Sequence, residues 1–300
     1  DTSIVNTSDF KVFLAKISNL QTVSWIKELT SAFTIDYMPH IVVDSENNPV
    51  ITGTFVNAVS GVGVTLSTPG SSNSSIYIIK YSDQGAPIYA KAKYNSGDTF
   101  TCESIAADNN SNVYFTGSAR TGWYSNQPNY FLYKYNKSGD LVWGKSNGSN
   151  VSVSKGRKVI VHGNYCTLIA EYELSGSSAV IKSYTLEGAD YFSTPLVTGW
   201  ASLPIGLDIA ADNDSNFYVV CSYAQSFYLG TSQLPSIGGY DGIVLKLNLN
   251  GNIEWYTSFA GGGNDVSSSI NLLQNGKIIV TGKCENTATF GSFSAPASLF

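Results

Sequence analysis

Three short acidic runs place oxygen-bearing side chains at alternating positions: Asp44, Glu46 and Asn48; Asp108, Asn110 and Asn112; Asp212, Asp214 and Asn216. Alternate oxygens in a tight loop are what calcium coordination asks for. A calcium loop of the twelve-residue kind also needs glycine at its sixth position and a bidentate carboxylate at its twelfth. Here the twelfth position is Phe55, Ala119 or Tyr223. Asp and Asn build hairpin turns equally well without an ion. Turn formation is therefore the first reading, Asp108, Asp212 and Asp214 are weak calcium candidates, and no tightly bound metal and no cofactor is expected.

Other chemistry is sparse. The two histidines, His40 and His162, sit far apart, and no elbow motif marks a serine for a Ser-His-Asp relay. Glu103, Glu171, Asp208 and Asp265 have no spacing that assigns two carboxylates to one pocket. Gly61-Val62-Gly63 and Gly261-Gly262-Gly263 do not open helices after strands, so they make no case for phosphate binding. Cys102, Cys166, Cys221 and Cys284 form no CxxC pair, which leaves zinc and redox motifs without support; Cys166 and Cys221 are read as buried thiols or as a pair. No catalytic residue is expected.

The elements that would position such residues repeat along the chain. A lysine returns five times with an aromatic nine positions later: Lys16 and Trp25, Lys80 and Tyr89, Lys134 and Trp143, Lys182 and Tyr191, Lys246 and Trp255. Segments such as Phe131 to Trp143 (FLYKYNKSGDLVW) read as a strand C, a turn and a strand D. A second motif alternates with it, as in Ile105 to Gly117 (IAADNNSNVYFTG): an apolar run, Asp, a polar cluster and another apolar run, read as strands A and B. Ile41 to Gly53 and Ile209 to Cys221 are further copies. Ile270 to Gly282 is a weaker one, and in Val151 to Gly163 the turn is rebuilt, which puts His162 where Thr52, Thr116 and Thr281 stand elsewhere. Both faces of strand C carry apolar groups, as expected of a strand sandwiched between neighbouring sheets, with each lysine sending its ammonium to a wet rim.

The spacing of the lysines, 48 to 64 residues, suits four short strands and their loops. The expected fold is all-β, a β-propeller of four-stranded antiparallel blades with five pairs of hairpins, as one domain over 1–300. The repeat units are roughly 10–55, 76–118, 130–163, 178–222 and 242–283, with 284–300 approaching a further strand. The alternating motifs resemble the SBBP-type, or seven-bladed beta-propeller, repeat family: the Asp, polar turn, strand and Gly series, followed by an apolar-Lys-apolar strand, a Gly turn and a Trp. That resemblance covers about Phe10 to Phe300 and implies a propeller from a large, secreted or surface protein of undefined role.

Charged residues are only 13% of the chain and the formal charge is −5, which argues against nucleic acid as a partner. No apolar run reaches membrane-spanning length. Sequons at Asn6, Asn73, Asn109, Asn136, Asn147, Asn150 and Asn213 fall mostly in turns, where a glycan fits. Trp123, Tyr124 and Trp200 break the repeat and lie in loops, so with His162 they are the binding candidates. The expected protein is a noncatalytic scaffold, adhesion or protein-interaction module on a cell or particle surface or outside the cell, partnered by surface proteins or glycans. A lectin-like propeller is the alternative, and a lactonase or quinone-dependent dehydrogenase comes third. The first C/D hairpin and the last A/B hairpin are complementary halves of a blade. Their joining, a longer polypeptide, or strand pairing between subunits are the three outcomes, the longer polypeptide being favoured. The far-ultraviolet circular dichroism spectrum is expected to be that of β-structure; a helical double minimum would contradict the repeat assignment.

Overall fold

The computed structural model describes residues 10–31, 39–68, 73–95, 97–120, 128–147, 154–173, 177–198, 204–229 and 232–295. Every regular element among them is a β-strand. Two compact units, 1–145 and 146–300, divide the chain, and the order A, B, C, D continues through both.

In the first unit, β1 (Phe10–Ile17) and β2 (Val23–Ser31) are a C/D hairpin. A full blade follows from β3 (His40–Val43) and β4 (Pro49–Val56). Between its strands B and C lies a short hairpin, β5 (Ala58–Gly61) and β6 (Val64–Ser67). Then come β7 (Ser74–Tyr81) and β8 (Pro87–Lys93), giving the sheet order β3-β4-β7-β8. The next blade is β9 (Thr99–Ala107), β10 (Val113–Arg120), β11 (Asn129–Tyr135) and β12 (Leu141–Ser146). The second unit holds β13 (Ser154–His162), β14 (Tyr165–Glu173), β15 (Ser177–Thr185) and β16 (Asp190–Thr198). After it come β17 (Ile205–Ala211), β18 (Phe217–Leu229), β19 (Ser232–Leu247) and β20 (Ile253–Gly261). The A/B hairpin of β21 (Val266–Leu272) and β22 (Ile278–Lys283) is next, and the small hairpin β23 (Ala288–Phe290) and β24 (Phe293–Ala295) ends the described chain. The expected all-β class of four-stranded antiparallel blades is what these sheets show.

Strand C is apolar on both faces because it is packed on both. Tyr77 and Ile79 of β7 join Val12, Leu14 and Leu29 in one cluster, while Ile76 and Ile78 join Phe100, Phe115 and Phe131 in another. All four β7 residues are fully buried. In the second unit, Ile243 and Leu245 pack with Ile169 and Ile209, and Val244 packs with Ile270 on the opposite face.

The C/D turns share one geometry: a backbone bond across the turn and a residue at positive φ. That residue is Gln21, Gly85, Gly139, Gly188 or Gly251. These turns correct the fourth repeat. Lys16, Lys80 and Lys246 face Trp25, Tyr89 and Trp255 across the ladder, but Lys182 faces Ser193 and the residues in the repeat register are Ser183 and Phe192. Tyr191 occupies the bulge, where Ser24, Ile88 and Glu254 are passed over in the others. Packing agrees. A Cβ on Gly85 would stand 2.9 Å from the Trp25 ring, on Gly139 2.8 Å from Tyr89 and on Gly251 2.4 Å from Phe192. In these three cases the strand-D aromatic lies on the turn glycine of the following blade.

The third A/B hairpin is also corrected. Its strand A runs unbroken through Lys155-Gly156-Arg157 to His162, and the turn is Gly163-Asn164, with Gly163 at φ +52°. His162 therefore does not hold the threonine position, which falls to Ile169 opposite Ile181. A further regularity escaped the sequence reading. Four residues past Gly53, Cys221 and Gly282, the residues Asn57, Gln225 and Asn286 have φ between 63° and 69°. Each opens an excursion that pairs with the preceding strand D: Leu29 with Gly61, Val197 with Tyr228, Phe259 with Phe290. Residues 288–295 are thus the third excursion, while Ser298, Leu299 and Phe300 lie outside the described residues.

Phe192→Ala should cost about 3 kcal/mol in denaturant unfolding, since it empties an interblade contact, and Tyr191→Ala under about 1 kcal/mol. The reverse order would restore the Lys182–Tyr191 register.

Candidate functional site

The acidic turns use their carboxylates internally. Asp108 Oδ1 accepts the backbone N–H groups of Asn110 and Asn112, and Oδ2 accepts Asn112 Nδ2 and the Tyr114 hydroxyl. Asp212 does the same with Asp214, Asn216 and Tyr218. Asp44 accepts Glu46 and Asn48 on one oxygen and pairs on the other with Lys80 Nζ at 2.5 Å. Burial would raise the carboxyl of Asp44, but the hydrogen bonds from Lys80, Asn48 and Glu46 outweigh it and hold it below the usual range. Asp214 is exposed and not enclosed by other carboxylates.

The recurrent lysine departs from the expected wet rim. Lys80 is buried on Asp44, and Lys134 is buried with its ammonium 5.4 Å from the Tyr114 ring centre. Lys246 lies 6.0 Å from the Tyr218 ring and pairs with Glu254 at 2.8 Å. Lys16 is more open than these three, bound to Asp83 in the turn of the next blade, where the Trp25 indole also donates to the Asp83 carbonyl. Strand-C lysines thus reach the turns at Asp44 and Asp83 or the strand-B rings of Tyr114 and Tyr218.

His162 is buried, its Nε2 2.8 Å from Thr167 Oγ1, which donates to Ser183 Oγ at 2.9 Å. Burial pushes its pKa down to about 4, so the ring is neutral at physiological pH. The three hydroxyl and imidazole groups span strands A, B and C inside one blade and are closed to substrate. His40 bonds the Cys102 carbonyl at 3.2 Å. Asp208 holds neighbouring strands A together, accepting from Ser269 Oγ and Ile270 N and lying 3.3 Å from Lys158 Nζ. Cys102, Cys166 and Cys221 are buried and Cys284 is exposed, and no disulfide joins Cys166 to Cys221. Trp123, Tyr124, Trp200, Asn6 and Asn150 lie outside the described residues. Asn109 and Asn213 are exposed in A/B turns. Asn136 is partly buried and its Oδ1 accepts from Ser138 and Asp140, Asn73 is partly buried, and the amide of Asn147 is covered.

A surface able to receive a partner lies at β22. Strands β4, β10 and β18 occupy the same place in their blades, and each is covered by a strand C. Among the described residues β22 pairs with β21 within its own unit, and no strand C of that unit covers it. Beside β22 is a cavity of about 640 Å³ lined by Val244, Phe259, Ile278, Val280, Gly282 and Phe290. Ile279 is 49% and Phe293 77% exposed, and Phe259 and Phe290 stack with ring centres 5.1 Å apart. In covered blades, Thr52 and Thr116 donate to carbonyls of strand C, Tyr77 at 2.8 Å and Phe131 at 2.5 Å. Gly53 lies under the Tyr77 ring, its virtual Cβ 2.6 Å from the hydroxyl. Thr281 and Gly282 repeat this pair at the open edge. A smaller cavity of about 380 Å³ adjoins β1, lined among others by Leu14, Trp25, Ile41 and Val43.

No protein-family model matches the chain. It is similar to an uncharacterized WD repeat-containing protein, L264, of Acanthamoeba polyphaga mimivirus, at 23% identity over an alignment 382 positions long that covers 97% of this chain. The chain spans 27% of that relative's length. Among solved structures it is similar to the WD40 beta propeller domain of Doa1, with 11% identity, a TM-score of 0.39, and coverage of 87% of this chain and 80% of the other.

The folded pKa of His162, about 4, lies below the unfolded value of about 6.5. The unfolded chain takes up this proton first, so stability falls as pH drops from about 6.5 towards 4, by about 3 kcal/mol. Denaturant titrations of the protein and of His162→Gln at both ends of that window should show the smaller loss in the variant; equal losses would place the acid sensitivity elsewhere.

Proposed function

We propose that this chain is a noncatalytic, propeller-type scaffold for protein interaction, placed outside the cell or on a cell or particle surface, and that the open edge of β22 is its docking site. The uncovered strand B carries the reading. A partner would add an antiparallel strand there, its main chain supplying hydrogen bonds and its side chains filling the cavity. The covered blades define what fits. Opposite Gly53, Gly117 and Cys221 stand Tyr77, Phe131 and Ile243, each followed by two apolar residues, a lysine and another apolar residue. The partner is thus an extended segment with an aromatic or β-branched residue, two apolar residues, Lys and an apolar residue.

Repeat similarity to the viral WD repeat-containing protein supports the scaffold reading, as does the use of the buried acidic and histidine groups within the blades. Low charge and sequons on exposed turns at Asn109 and Asn213 support the surface placement. The SBBP-type resemblance points the same way. Neither the glycan-binding nor the enzymatic alternative gains a specific observation.

A fluorescent peptide with the strand-C sequence Asn129 to Tyr135 (NYFLYKY) should bind the protein saturably. Val280→Arg, which puts a charge into the cavity, should weaken it at least about tenfold, a loss of about 1.4 kcal/mol. A peptide of scrambled order should not bind. Equal binding of both peptides, or binding indifferent to Val280→Arg, would remove β22 as the docking edge.

A further inference from the structure

The residue that strand C places opposite the start of strand B follows the A/B turn beside it. Lys80, Lys134 and Lys246 lie across the ladder from Val50, Tyr114 and Tyr218. Each blade also has an aspartate in its A/B turn. Lys80 pairs with Asp44 directly. Lys134 and Lys246 lie on the rings of Tyr114 and Tyr218, whose hydroxyls donate to Asp108 at 2.9 Å and to Asp212 at 3.1 Å. The blade of β13 to β16 is built differently. Its A/B turn is Gly163-Asn164, without an acid, and its strand C brings Ser183 to the same place, opposite Thr167 and hydrogen-bonded to it. Turn and strand C thus vary together within one chain: lysine where the turn is acidic, an uncharged residue where it is not.

The hairpin of β21 and β22 belongs to the second kind. Leu273 takes the place of the aspartate. Its N–H donates to the Lys277 carbonyl at 2.8 Å and its carbonyl accepts the Gly276 N–H at 3.0 Å, as those of Asp44 do with Asn48 and Asn47. The rest of the turn, Gln274, Asn275 and Gly276, carries no acid. Lys277 stands where the acidic turns have Asn48, Asn112 and Asn216. Ile279, paired with Asn271, holds the register of Val50, which pairs with Val42. Leu273 is 43% exposed, and Ile279 is exposed as well.

A lysine arriving opposite Ile279 would meet two apolar side chains, no carboxylate of the turn and the like charge of Lys277. Desolvating an ammonium without a counter-charge is unfavourable. An apolar residue in that place would instead take Leu273 and Ile279 out of water. An acidic one would gain little, because Lys277 is exposed and surface ion pairs contribute weakly.

We infer that β22 selects a partner strand with an apolar, uncharged residue opposite Ile279, and that Leu273 and Ile279 set this choice. With β22 as the docking edge, a reading on which this inference rests, the partner's run changes at one position. It becomes an aromatic or β-branched residue, two apolar residues, an apolar residue in place of the lysine, and another apolar residue. A second copy of this chain fits poorly, since strand C at β1 brings Lys16 to that place.

The test compares three fluorescent peptides by anisotropy: Asn129 to Tyr135, and the same peptide with Lys134→Leu or Lys134→Glu. The unsubstituted protein should bind the Lys134→Leu peptide at least about tenfold more tightly than the parent, and more tightly than the Lys134→Glu form. Leu273→Asp protein, its acidic turn restored, should reverse the order of parent and Lys134→Leu. A parent peptide that binds the unsubstituted protein as well as Lys134→Leu would overturn the inference and leave β22 as the docking edge. Tightest binding of Lys134→Glu would overturn it in favour of Lys277. A scrambled Lys134→Leu peptide that binds equally well would reduce the preference to general apolar adhesion and overturn it too. If no peptide binds, the docking edge itself fails. Should Leu273→Asp not fold, the peptides on the unsubstituted protein decide.

Discussion

The complete blades depend on strands B and C being apolar on both faces and buried on both. A strand in a single half-wet sheet would show alternation; β7 instead shows an unbroken buried run from Ser75 to Tyr81. Its odd and even residues feed separate clusters, so each blade is the floor of one core and the roof of the next. Hydrophobic burial of this kind has no preferred direction, and something else must set the register.

Register is set by turns that force a positive φ and by what rests on them. Gly85, Gly139 and Gly251 each combine a left-handed conformation with direct contact to an aromatic of the preceding blade, so a side chain there would be opposed twice. Buried polar groups lock the alignment further: Asp108 and Asp212 consume their own turn's donors, and the Thr52 and Thr116 hydroxyls bind strand C. The threonine bond recurs in the blades of β4 and β10, and the self-satisfied Asp turn in those of β10 and β18. Their absence from one side of β22 is what makes that edge chemically specific, since Thr281 and Gly282 retain the matching groups.

Much of this was legible in the sequence, because apolar alternation and turn residues act locally. The A/B and C/D hairpins and the two-faced strand C follow from patterns in Ile105 to Gly117 and Phe131 to Trp143. The fourth repeat misled because spacing alone does not distinguish Lys182–Tyr191 from Ser183–Phe192; both pairs are nine apart, and only the turn glycine, Gly188, tells them apart. In the third A/B hairpin, Gly156 resembles a turn residue but lies at a bulge within a strand. The excursion hairpins were missed because their signal is backbone conformation at Asn57, Gln225 and Asn286, which composition does not encode.

The central claim is that β22 is a strand B awaiting its strand C. Amide hydrogen exchange across Ile278 to Lys283, compared with β4 and β10, tests it most directly. The account predicts fast exchange at the outward amides of β22 in the free protein, slowed to the level of β4 and β10 when the strand-C peptide is present. Amides of β22 already as protected as those of β4 and β10 without any peptide would contradict it.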